Sequence, residues 1–538
     1  MASLFFHNHF QGSGKLHSPG PGKNPSAGTV TTANCSSINR LNRQSLSNCI
    51  IIICLLSVCV VVRLPFYFPS VIHWDESTFI LMGQSINDGH LPYVQLWDIK
   101  PPLAFLFFAI ATLLWKSIIA VRIAGTLCVF AIAYFVFRIG EYIWESKAGL
   151  FAAVLSILFV SVSDSGQATM TEIIALVPIM GALVLLVTRE MNWVTCLMTG
   201  FLLSLATLVR LNLGYLAAAV GILIPYLSLF SSRSFVKQTA AYVLGGLLPV
   251  GAVALPYFIG GYQELLVASV VKASWQFSRS SSVSEVLAIL LSQGFNVSNV
   301  VLWVGCLGGI AIIAMEWSKY NKIQKNGIFS IAVFFVAVGS SIALGGHARL
   351  RYLIQWVPFL SLIAGGFFAF LGNSFHKKVI ALLCLGLVIP ARPILAEYMS
   401  IGKKVATNQP LVFDKGYRIA AYLNSENVTG KVLCLSTYHI VHWLTGTRPI
   451  RKSVTHPANI GKEYLLKSFL GANASTKGEM IALLSAKPLY IVKDKQFDYL
   501  NNAAQRILEE TLRADYVLVQ IISGTYIYKR RGDLPAGV

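Results

Sequence analysis

Two adjacent acids, Asp75 and Glu76, stand shortly after the first strongly apolar run of the chain, Ile50 to Val62. Charged side chains beside a lipid-spanning segment are costly, and they often mark functional positions. A carboxylate there can accept the proton of an incoming hydroxyl group, which is general-base catalysis. The alternative is a solvated acidic pair in a polar loop. The flanking Trp74 and the nearby membrane favour a catalytic role for both acids.

A second acid, Glu172, opens a later apolar run. An acid in the first turn of a helix complements the helix dipole and can complete a cap, so a structural role is one interpretation. A carboxylate facing the same compartment as Asp75 could also bind a sugar hydroxyl or share a divalent cation. We include Glu172 among the catalytic candidates and regard Asp164 as the weaker candidate for the site. The sequence leaves the metal requirement open.

Lys100 precedes the pair Pro101-Pro102. Proline forces the preceding residue into an extended conformation, so Lys100 is held at a fixed angle. A phosphate ligand is the functional interpretation, and a solvated structural lysine is the alternative. The neighbouring aromatic and polar residues suit a sugar or a polyprenyl head group. The residues that we expect to contact substrate are Trp74, Tyr93, Trp97, Asp98, His347 and Tyr352.

Two arginines, Arg349 and Arg351, lie at the end of a later apolar run. Arginines at such positions commonly reach toward lipid head groups, which is the alternative to a functional role. If that end faces away from the cytoplasm, both residues oppose the positive-inside rule and therefore need a partner. A lipid-linked phosphate is the partner that we expect, and Arg210 at the end of its own run belongs with them.

The composition identifies a polytopic membrane protein. Of 538 residues, 55% are hydrophobic and only 12% are charged, which is more apolar surface than a water-soluble core could bury. The net charge of +20 indicates anionic lipid rather than nucleic acid as a partner, because loop cations set membrane orientation. The nine cysteines show neither zinc nor disulfide spacing.

The apolar runs predict about eleven transmembrane helices. Residues 1–47 are basic and polar, and we expect a disordered cytoplasmic tail. Residues 48–398 form the predicted membrane domain, whose first outer loop, 65–117, carries the site. The runs after the first are 118–137, 148–163, 173–187, 193–209, 213–230, 239–259, 298–315, 328–344, 353–371 and 379–396.

The stretch Leu103 to Trp115 decides the topology, because it is too short to cross in the ordinary way and is typical of re-entrant or interfacial helices. If it does not cross, the loops with most cations share the side of the basic tail, as the positive-inside rule requires. Asp75, Lys100, Glu172 and the later arginines then share the non-cytoplasmic face, called the outer face here. We therefore predict that this stretch is re-entrant.

Residues 399–538 carry charges, turns and short β-branched runs that alternate with helical stretches, which predicts a small soluble α/β domain on the outer face. The last two predicted strands, 516–522 and 525–528, join through Ser523-Gly524 as a hairpin. The sequence shows no internal repeat typical of transporters.

The first outer loop resembles that of the GT-C membrane glycosyltransferases, in the bacterial branch related to protein O-mannosyltransferases and the lipid A aminoarabinose transferase. The similarity covers roughly residues 48–400. Its motifs are His73-Trp74-Asp75-Glu76, Leu91-Pro92-Tyr93, Trp97-Asp98-Ile99-Lys100-Pro101-Pro102 and the segment from Arg349-Leu-Arg-Tyr352 to Pro358.

This resemblance implies that Asp75 is the catalytic base, Glu76 its neighbour in the signature, Lys100 a donor-phosphate ligand and Glu172 the second acid. Glu172 departs from the aspartate usual there, which puts a shared-metal geometry in doubt. The implied reaction is inverting transfer of a sugar from a polyprenyl phosphate to a hydroxyl of a lipid, glycan or protein acceptor. The branch implies a bacterial inner membrane with a periplasmic C-terminal domain. A transporter or flippase of lipid-linked sugars is the competing class, and a non-catalytic scaffold is the third.

Overall fold

The computed structural model describes residues 48–229, 234–278, 299–346, 349–374, 385–428 and 430–533, with isolated positions between 282 and 294. The chain divides into two units, residues 1–54 and residues 55–538. All residues of the candidate site belong to the second unit. The predicted tail over residues 1–47 and the candidate residue His347 lie outside the described residues.

Seven of the described helices are long and apolar enough to cross a bilayer. Three further apolar helices have 17 residues each, close to the shortest length that spans the hydrocarbon core. The chain is therefore an integral, multi-pass membrane protein. The seven are Asn48–Tyr67, Ile118–Ile143, Thr171–Thr188, Leu211–Ser228, Phe235–Ile259, Lys322–Leu344 and Leu350–Asn373. The three are Ser146–Val162, Trp193–Val209 and Val300–Glu316.

These ten helices coincide with ten of the predicted apolar runs. The remaining run, 379–396, begins among residues that are not described and ends within helix Val388–Ala406. Other helical segments in this part of the chain are Trp74–Asn87, Pro102–Leu114, Gln263–Leu266, the π-helical Val267–Lys272, Ala273–Ser278 and the 3-10 helices Leu64–Tyr67, Leu211–Leu213 and Leu350–Trp356. The last two 3-10 helices open the membrane-length helices that follow them.

Helix Pro102–Leu114 has 13 residues. At 1.5 Å per residue it is about 20 Å long, whereas the hydrocarbon core is about 30 Å thick. Asp75 precedes this helix. Glu172 comes after it, with the two helices Ile118–Ile143 and Ser146–Val162 in between. Arg351 nevertheless contacts both acids, so they lie on the same face. Two crossings return the chain to its starting face, and three would not. The geometry therefore agrees with a helix Pro102–Leu114 that does not cross.

Small residues bring the helices that follow this segment into close contact. A Cβ on Gly140 would lie 2.7 Å from the Cα of Gly149, where Ile118–Ile143 packs against Ser146–Val162. Small residues at such crossings allow backbones to approach and strengthen van der Waals packing in lipid. This tight pair carries the chain from the first outer loop to Glu172 and so helps to fix the distance between the two acids.

The region after Val388–Ala406 contains a four-stranded sheet in the order β1-β2-β4-β3. The first two strands pair in parallel and the other pairs are antiparallel. The strands are β1 Val432–Leu435, β2 Tyr490–Asp494, β3 Tyr516–Ile522 and β4 Thr525–Arg530. The helices are Lys415–Ser425, Val441–Thr445, Glu463–Leu470, Thr476–Ser485 and Asn502–Asp515, with 3-10 helices Lys452–Val454, Pro457–Gly461 and Arg531–Asp533.

The predicted hairpin is confirmed. Strands β3 and β4 are joined by Ser523 and Gly524, whose φ angles of 47° and 79° are those of a type I′ turn. The sheet has an apolar cluster on each face, one around Leu433, Ile491 and Leu508, and the other around Val432, Val492 and Ile527. Such a two-sided core explains why the short strands read as continuous apolar runs.

This α/β domain, called the outer domain after its predicted position, contacts the first outer loop through polar groups. Ser70 donates its backbone N–H to Asp414 over 2.7 Å, and Arg448 pairs with Asp88 at 2.9 Å. Thr78 and His439 share a buried hydrogen bond of 2.9 Å. The domain is therefore fastened to the loop and to the helix that begins at Trp74. The boundary near residue 399 remains a prediction.

Candidate active site

Asp75 lies in the first turn of helix Trp74–Asn87, and its side chain is 18% exposed. Nη2 of Arg351 donates a hydrogen bond to Oδ2 of Asp75 over 2.8 Å. His456, from the C-terminal domain, contacts Oδ1 of Asp75 through Nε2 at 3.2 Å. Both oxygens of the carboxylate are therefore engaged, one by the membrane domain and one by the outer domain.

Burial would raise the pKa of Asp75, but the Arg351 guanidinium and the hydrogen bond from His456 hold it well below its usual value. Burial lowers the pKa of the neighbouring His73, with Asp75 acting in the opposite sense. The ring of His73 borders the same cluster, with its Nε2 2.6 Å from Nη1 of Arg351. Asp75 is thus an ionised carboxylate held against a guanidinium.

Glu172 lies in the first turn of helix Thr171–Thr188 and is buried. Its Oε1 is 2.5 Å from Nη1 of Arg210 and 3.7 Å from Nε of Arg351. Arg351 therefore stands between the two acids and contacts both. The ring of Tyr352 lies beneath this group, with its centroid 4.8 Å from the Arg210 guanidinium carbon and 5.6 Å from that of Arg351.

Glu76 does not join this cluster. Its buried carboxylate pairs with Arg122 and accepts the backbone N–H of Thr169 over 2.7 Å. The side chains of Glu76 and Arg122 are 2% and 1% exposed, so neither can reach a substrate in this arrangement. The structure therefore does not bring Glu76 to Arg351, and its catalytic role stays a prediction. The residue ties the helix that carries Asp75 to the loop that precedes Glu172.

The backbone of Lys100 is held in place, as we predicted from the two prolines that follow it. Its N–H donates to Oδ1 of Asp98 over 2.9 Å, and its carbonyl accepts the hydroxyl of Tyr93 over 2.5 Å. Tyr93 is fully buried with φ of 73°, a strained conformation for a residue with a side chain. Pro101, with ψ of 157°, then opens helix Pro102–Leu114.

Lys100 lines a cavity of about 390 Å³. Its polar lining includes Lys100, Arg210 and Asn212 together with Tyr352, and Arg210 also pairs with Glu172. Its apolar lining includes Ile99, Leu211, Val271, Trp275, Ile342 and Leu344. A cavity of this kind suits an amphipathic molecule with an anionic head and a hydrocarbon tail.

The other predicted site residues lie at varying distances from the acids. Trp74 packs edge-on against His456, with ring centroids 4.1 Å apart. Trp97 is 2% exposed and packs against Phe469 of the outer domain. Burial raises the pKa of Asp98, although the nearby Lys100 acts in the opposite sense. Arg349 is exposed. Among the described residues, Asp75 and Glu172 pair with Arg351 and Arg210 instead. The structure therefore brings Arg351, but not Arg349, to the cluster.

No motif in the sequence pointed to the outer-domain residues at this site. His456 bonds to Asp75 from 381 positions away along the chain. Burial lowers the pKa of Lys462, and the charges of Asp75 and Asp98 oppose that effect. Lys462 thus lies within electrostatic reach of the same acids. Both residues flank the 3-10 helix Pro457–Gly461, a segment of ordinary composition.

The acids do not fit a resident divalent cation. Among the described residues, no group of three His, Cys, Asp or Glu side chains is placed to hold a metal ion. Asp75 and Glu172 are instead neutralised by Arg351 and Arg210. A cation would have to displace a guanidinium from each acid, so no chemical step is assigned to a metal.

The sequence matches no protein-family model and no curated protein. Solved structures with a similar fold include ArnT from Cupriavidus metallidurans bound to undecaprenyl phosphate, with a TM-score of 0.61 and 11% identity over 89% of this chain and 97% of that chain. Another is the oligosaccharyltransferase AglB from Archaeoglobus fulgidus in complex with an inhibitory peptide and a dolichol-phosphate, with a TM-score of 0.51 and 10% identity over 92% and 75% of the two chains.

Both similarities cover about nine tenths of this chain, and at these identities they concern the fold. The chain accordingly has the same fold as these two structures, and that fold is the one predicted by the resemblance of its first outer loop to the GT-C membrane glycosyltransferases.

Proposed function

We propose that the protein is a membrane glycosyltransferase that moves a sugar from a polyprenyl-phosphate donor to a hydroxyl group of a lipid, glycan or protein acceptor. The observation that carries this proposal is the largely apolar cavity that Lys100 and Arg210 line, with Arg210 paired to Glu172. The apolar wall suits the prenyl chain and the cations suit the phosphate. The similar ArnT structure is bound to undecaprenyl phosphate.

The proposed reaction is an inverting displacement. The acceptor hydroxyl gives its proton to Asp75 while its oxygen bonds to the anomeric carbon of the sugar. The bond between that carbon and the phosphate oxygen breaks, and its electron pair leaves with the polyprenyl phosphate. Lys100, Arg210 and Arg351 stabilise the departing phosphate. Preorganised groups of this kind typically lower a barrier by a few kcal/mol each.

Arg351 links the two halves of this reaction. It is bonded to Asp75 at 2.8 Å and lies 3.7 Å from Glu172, whose other partner, Arg210, lines the cavity. A donor phosphate in the cavity attracts the guanidinium away from Asp75. Asp75 loses its strongest partner as this happens, and its basicity rises. Donor binding therefore prepares the base.

The location of the site follows from the same proposal. We place the acids, the cavity mouth and the domain from residue 399 onward on the non-cytoplasmic face, because the cation-rich loops then meet the positive-inside rule. A bacterial inner membrane with a periplasmic C-terminal domain is the setting that we propose. The acceptor then approaches from the Asp75 side, opposite the donor cavity.

The transporter alternative assigns the acids to a coupling ion. In the structure the two acids are held by arginines instead, and both stand at the first turns of their helices rather than at the middle of a span. Coupling sites in secondary transporters lie near the bilayer midplane, at broken helices. This arrangement favours the transferase.

The test uses purified protein in liposomes supplied with undecaprenyl phosphates that carry radiolabelled hexoses or pentoses. Release of undecaprenyl phosphate with label in a new product is the expected result, and Asp75→Asn abolishes it. Asp164→Asn is the matched control, because Asp164 is an exposed acid whose hydrogen bond among the described residues is with its neighbour Ser165. Passage of intact donor across the bilayer without cleavage would show a flippase and overturn the proposal.

A further inference from the structure

The outer domain supplies one direct contact to the proposed base. His456 is 7% exposed, and its Nε2 lies 3.2 Å from Oδ1 of Asp75. A carboxylate oxygen only accepts hydrogen bonds, so Nε2 of His456 carries the proton and donates. The bond therefore requires a proton on Nε2, which faces Asp75.

The ring of His456 is held from several sides. It packs edge-on against Trp74 at a centroid distance of 4.1 Å, and against His439 at 5.6 Å. Trp74 in turn packs against Tyr499 of the same domain at 5.2 Å. Nδ1 of His456 is buried and has no hydrogen-bond partner among the described residues. Only Nε2 makes a polar contact, and that contact is with Asp75.

The backbone on both sides of His456 is also fixed. Thr78, in the helix that carries Asp75, donates its hydroxyl to the carbonyl of Thr455 over 3.4 Å. Five residues later, a Cβ on Gly461 would lie 1.9 Å from the carbonyl oxygen of Tyr499, so this position admits only glycine. The segment is therefore bonded to the first outer loop at Thr455 and packed tightly against its own domain at Gly461, so His456 has little freedom to leave Asp75.

Binding of the donor would affect Arg351 and His456, the two hydrogen-bond partners of Asp75, differently. Arg351 is drawn to an arriving phosphate, whereas His456 has no second polar partner among the described residues. Once Arg351 turns toward phosphate, the bond from His456 is the contact that keeps the carboxylate in place. A displacement of about 1 Å at a reacting group can cost on the order of 100-fold in rate.

We propose that His456 is a positioning residue that holds Oδ1 of Asp75 in the orientation needed to take the acceptor proton, so that the outer domain forms part of the catalytic machinery. This inference rests on the proposed glycosyl transfer. It assigns His456 no direct contact with substrate. The ring acts through Asp75, by a hydrogen bond that persists when the donor is bound.

Two substitutions separate the hydrogen bond from the packing. His456→Gln keeps a donor at the place of Nε2 but removes the ring, whereas His456→Phe keeps a ring against Trp74 but removes the donor. His456→Met matches the glutamine in length and lacks a donor, and it replaces the phenylalanine variant if that variant fails to fold. His442→Gln is the control, because His442 is buried in the same domain and bonds to Thr447 rather than to Asp75.

The assay measures kcat and KM with the labelled undecaprenyl-phosphate sugar that the wild type cleaves, and also the binding of undecaprenyl phosphate by native mass spectrometry. We expect His456→Phe and His456→Met to lower kcat about 10- to 100-fold with the donor KM and undecaprenyl phosphate binding unchanged. We expect His456→Gln and His442→Gln to stay within a few-fold of wild type.

Full activity of the phenylalanine and methionine variants would overturn the inference, and so would a glutamine variant as slow as they are, because the ring rather than the donor would then matter. Neither result would affect the proposed function. Full activity of Asp75→Asn, or a wild type that neither cleaves any donor nor binds undecaprenyl phosphate, would instead overturn the proposed function and this inference with it.

Discussion

Glu76→Gln tests whether this acid positions the site or takes part in the reaction. Glu76 pairs with Arg122 inside the protein, where the two side chains are 2% and 1% exposed, and also accepts the N–H of Thr169. Glutamine has nearly the same shape and keeps an oxygen for Thr169. It removes the negative charge and leaves the guanidinium of Arg122 without its counter-ion.

The size of the effect follows from this burial. Removing one partner of a buried ion pair typically costs about 3–5 kcal/mol, because the remaining charge is left in a medium of low dielectric constant. Arg122 has only a weak hydrogen-bond partner to replace Glu76 among the described residues. Its Nη2 is 3.5 Å from the carbonyl oxygen of Pro69, and its Nε has no partner there. We therefore expect a loss of several kcal/mol, near the upper end of this range.

The assay is thermal unfolding of purified protein in detergent, followed together with transferase activity per folded molecule. Glu76→Gln should unfold at a clearly lower temperature. The paired variant Glu76→Leu with Arg122→Met replaces both charges by apolar groups of similar size, which is often neutral or stabilising for buried pairs. It should recover part of the stability, because the buried N–H of Thr169 still loses its acceptor. It should retain some transfer, because neither side chain lines the cavity.

The opposite pattern would refute this reasoning. A Glu76→Gln variant that unfolds like wild type but has no activity would show that the charge is needed for the reaction. A paired variant that is stable yet inactive would lead to the same conclusion. Glu76 would then regain the catalytic role that its place beside Asp75 first predicted.

Further predictions concern the charged groups around the cavity. Lys100→Met should weaken undecaprenyl phosphate binding about 10- to 100-fold, the equivalent of one charge-assisted hydrogen bond of about 1.5–3 kcal/mol, whereas Lys116→Met should not; native mass spectrometry measures both. Because the folded pKa of Asp75 is lowered, its ionised form stabilises the protein above the ordinary aspartate pKa of about 3.9. That stability is lost as the pH falls toward the lowered value, so unfolding of Asp75→Asn should depend less on pH below about 4 than unfolding of wild type; equal dependence would contradict the ion pair. Tyr93→Phe removes the hydroxyl that holds the Lys100 carbonyl and should destabilise the loop by about 1 kcal/mol, seen as faster amide exchange at residues 98–100.

The membrane part of the fold could be predicted because long apolar runs with few charges seldom occur outside lipid-spanning helices. The prediction that Leu103 to Trp115 does not cross came from cation counts, and the contacts of Arg351 with both Asp75 and Glu172 agree with the same number of crossings. The ends of the helices could not be predicted from hydropathy. Helix Ile118–Ile143, for example, continues beyond the apolar run that ended at residue 137 and carries Arg138 and Glu141 into its last turns.

The division of labour between Asp75 and Glu76 could have been anticipated from helix geometry. Consecutive residues point about 100° apart around a helix, so two neighbouring acids in its first turn cannot face the same site. What the sequence could not show is which acid faces Arg351 and which faces Arg122. That depends on how helix Trp74–Asn87 is rotated, and the rotation is set by packing against helix Pro102–Leu114 and by the contact between Thr78 and His439.

The contributions of the outer domain were hidden for a different reason. His456 and Lys462 lie in a segment of turns and a short 3-10 helix, where residue type carries little information about long-range contacts. A histidine before a proline in a soluble domain is ordinary on its own. Only the fold, which brings residue 456 to residue 75, gives it a chemical neighbour.

The charges at the centre of the site fit the course of the proposed reaction. Asp75 and Glu172 face Arg351, Arg210 and, across the cavity, Lys100, so the cations exceed the acids by one, which matches the single charge of a sugar phosphodiester. During transfer Asp75 gains a proton and loses its charge, while the departing phosphate monoester gains charge. Arg351 lies between them and needs only to exchange one anion for the other. The same guanidinium that keeps Asp75 ionised before the reaction can therefore stabilise the leaving group as the proton arrives, and the total charge of the buried site stays constant.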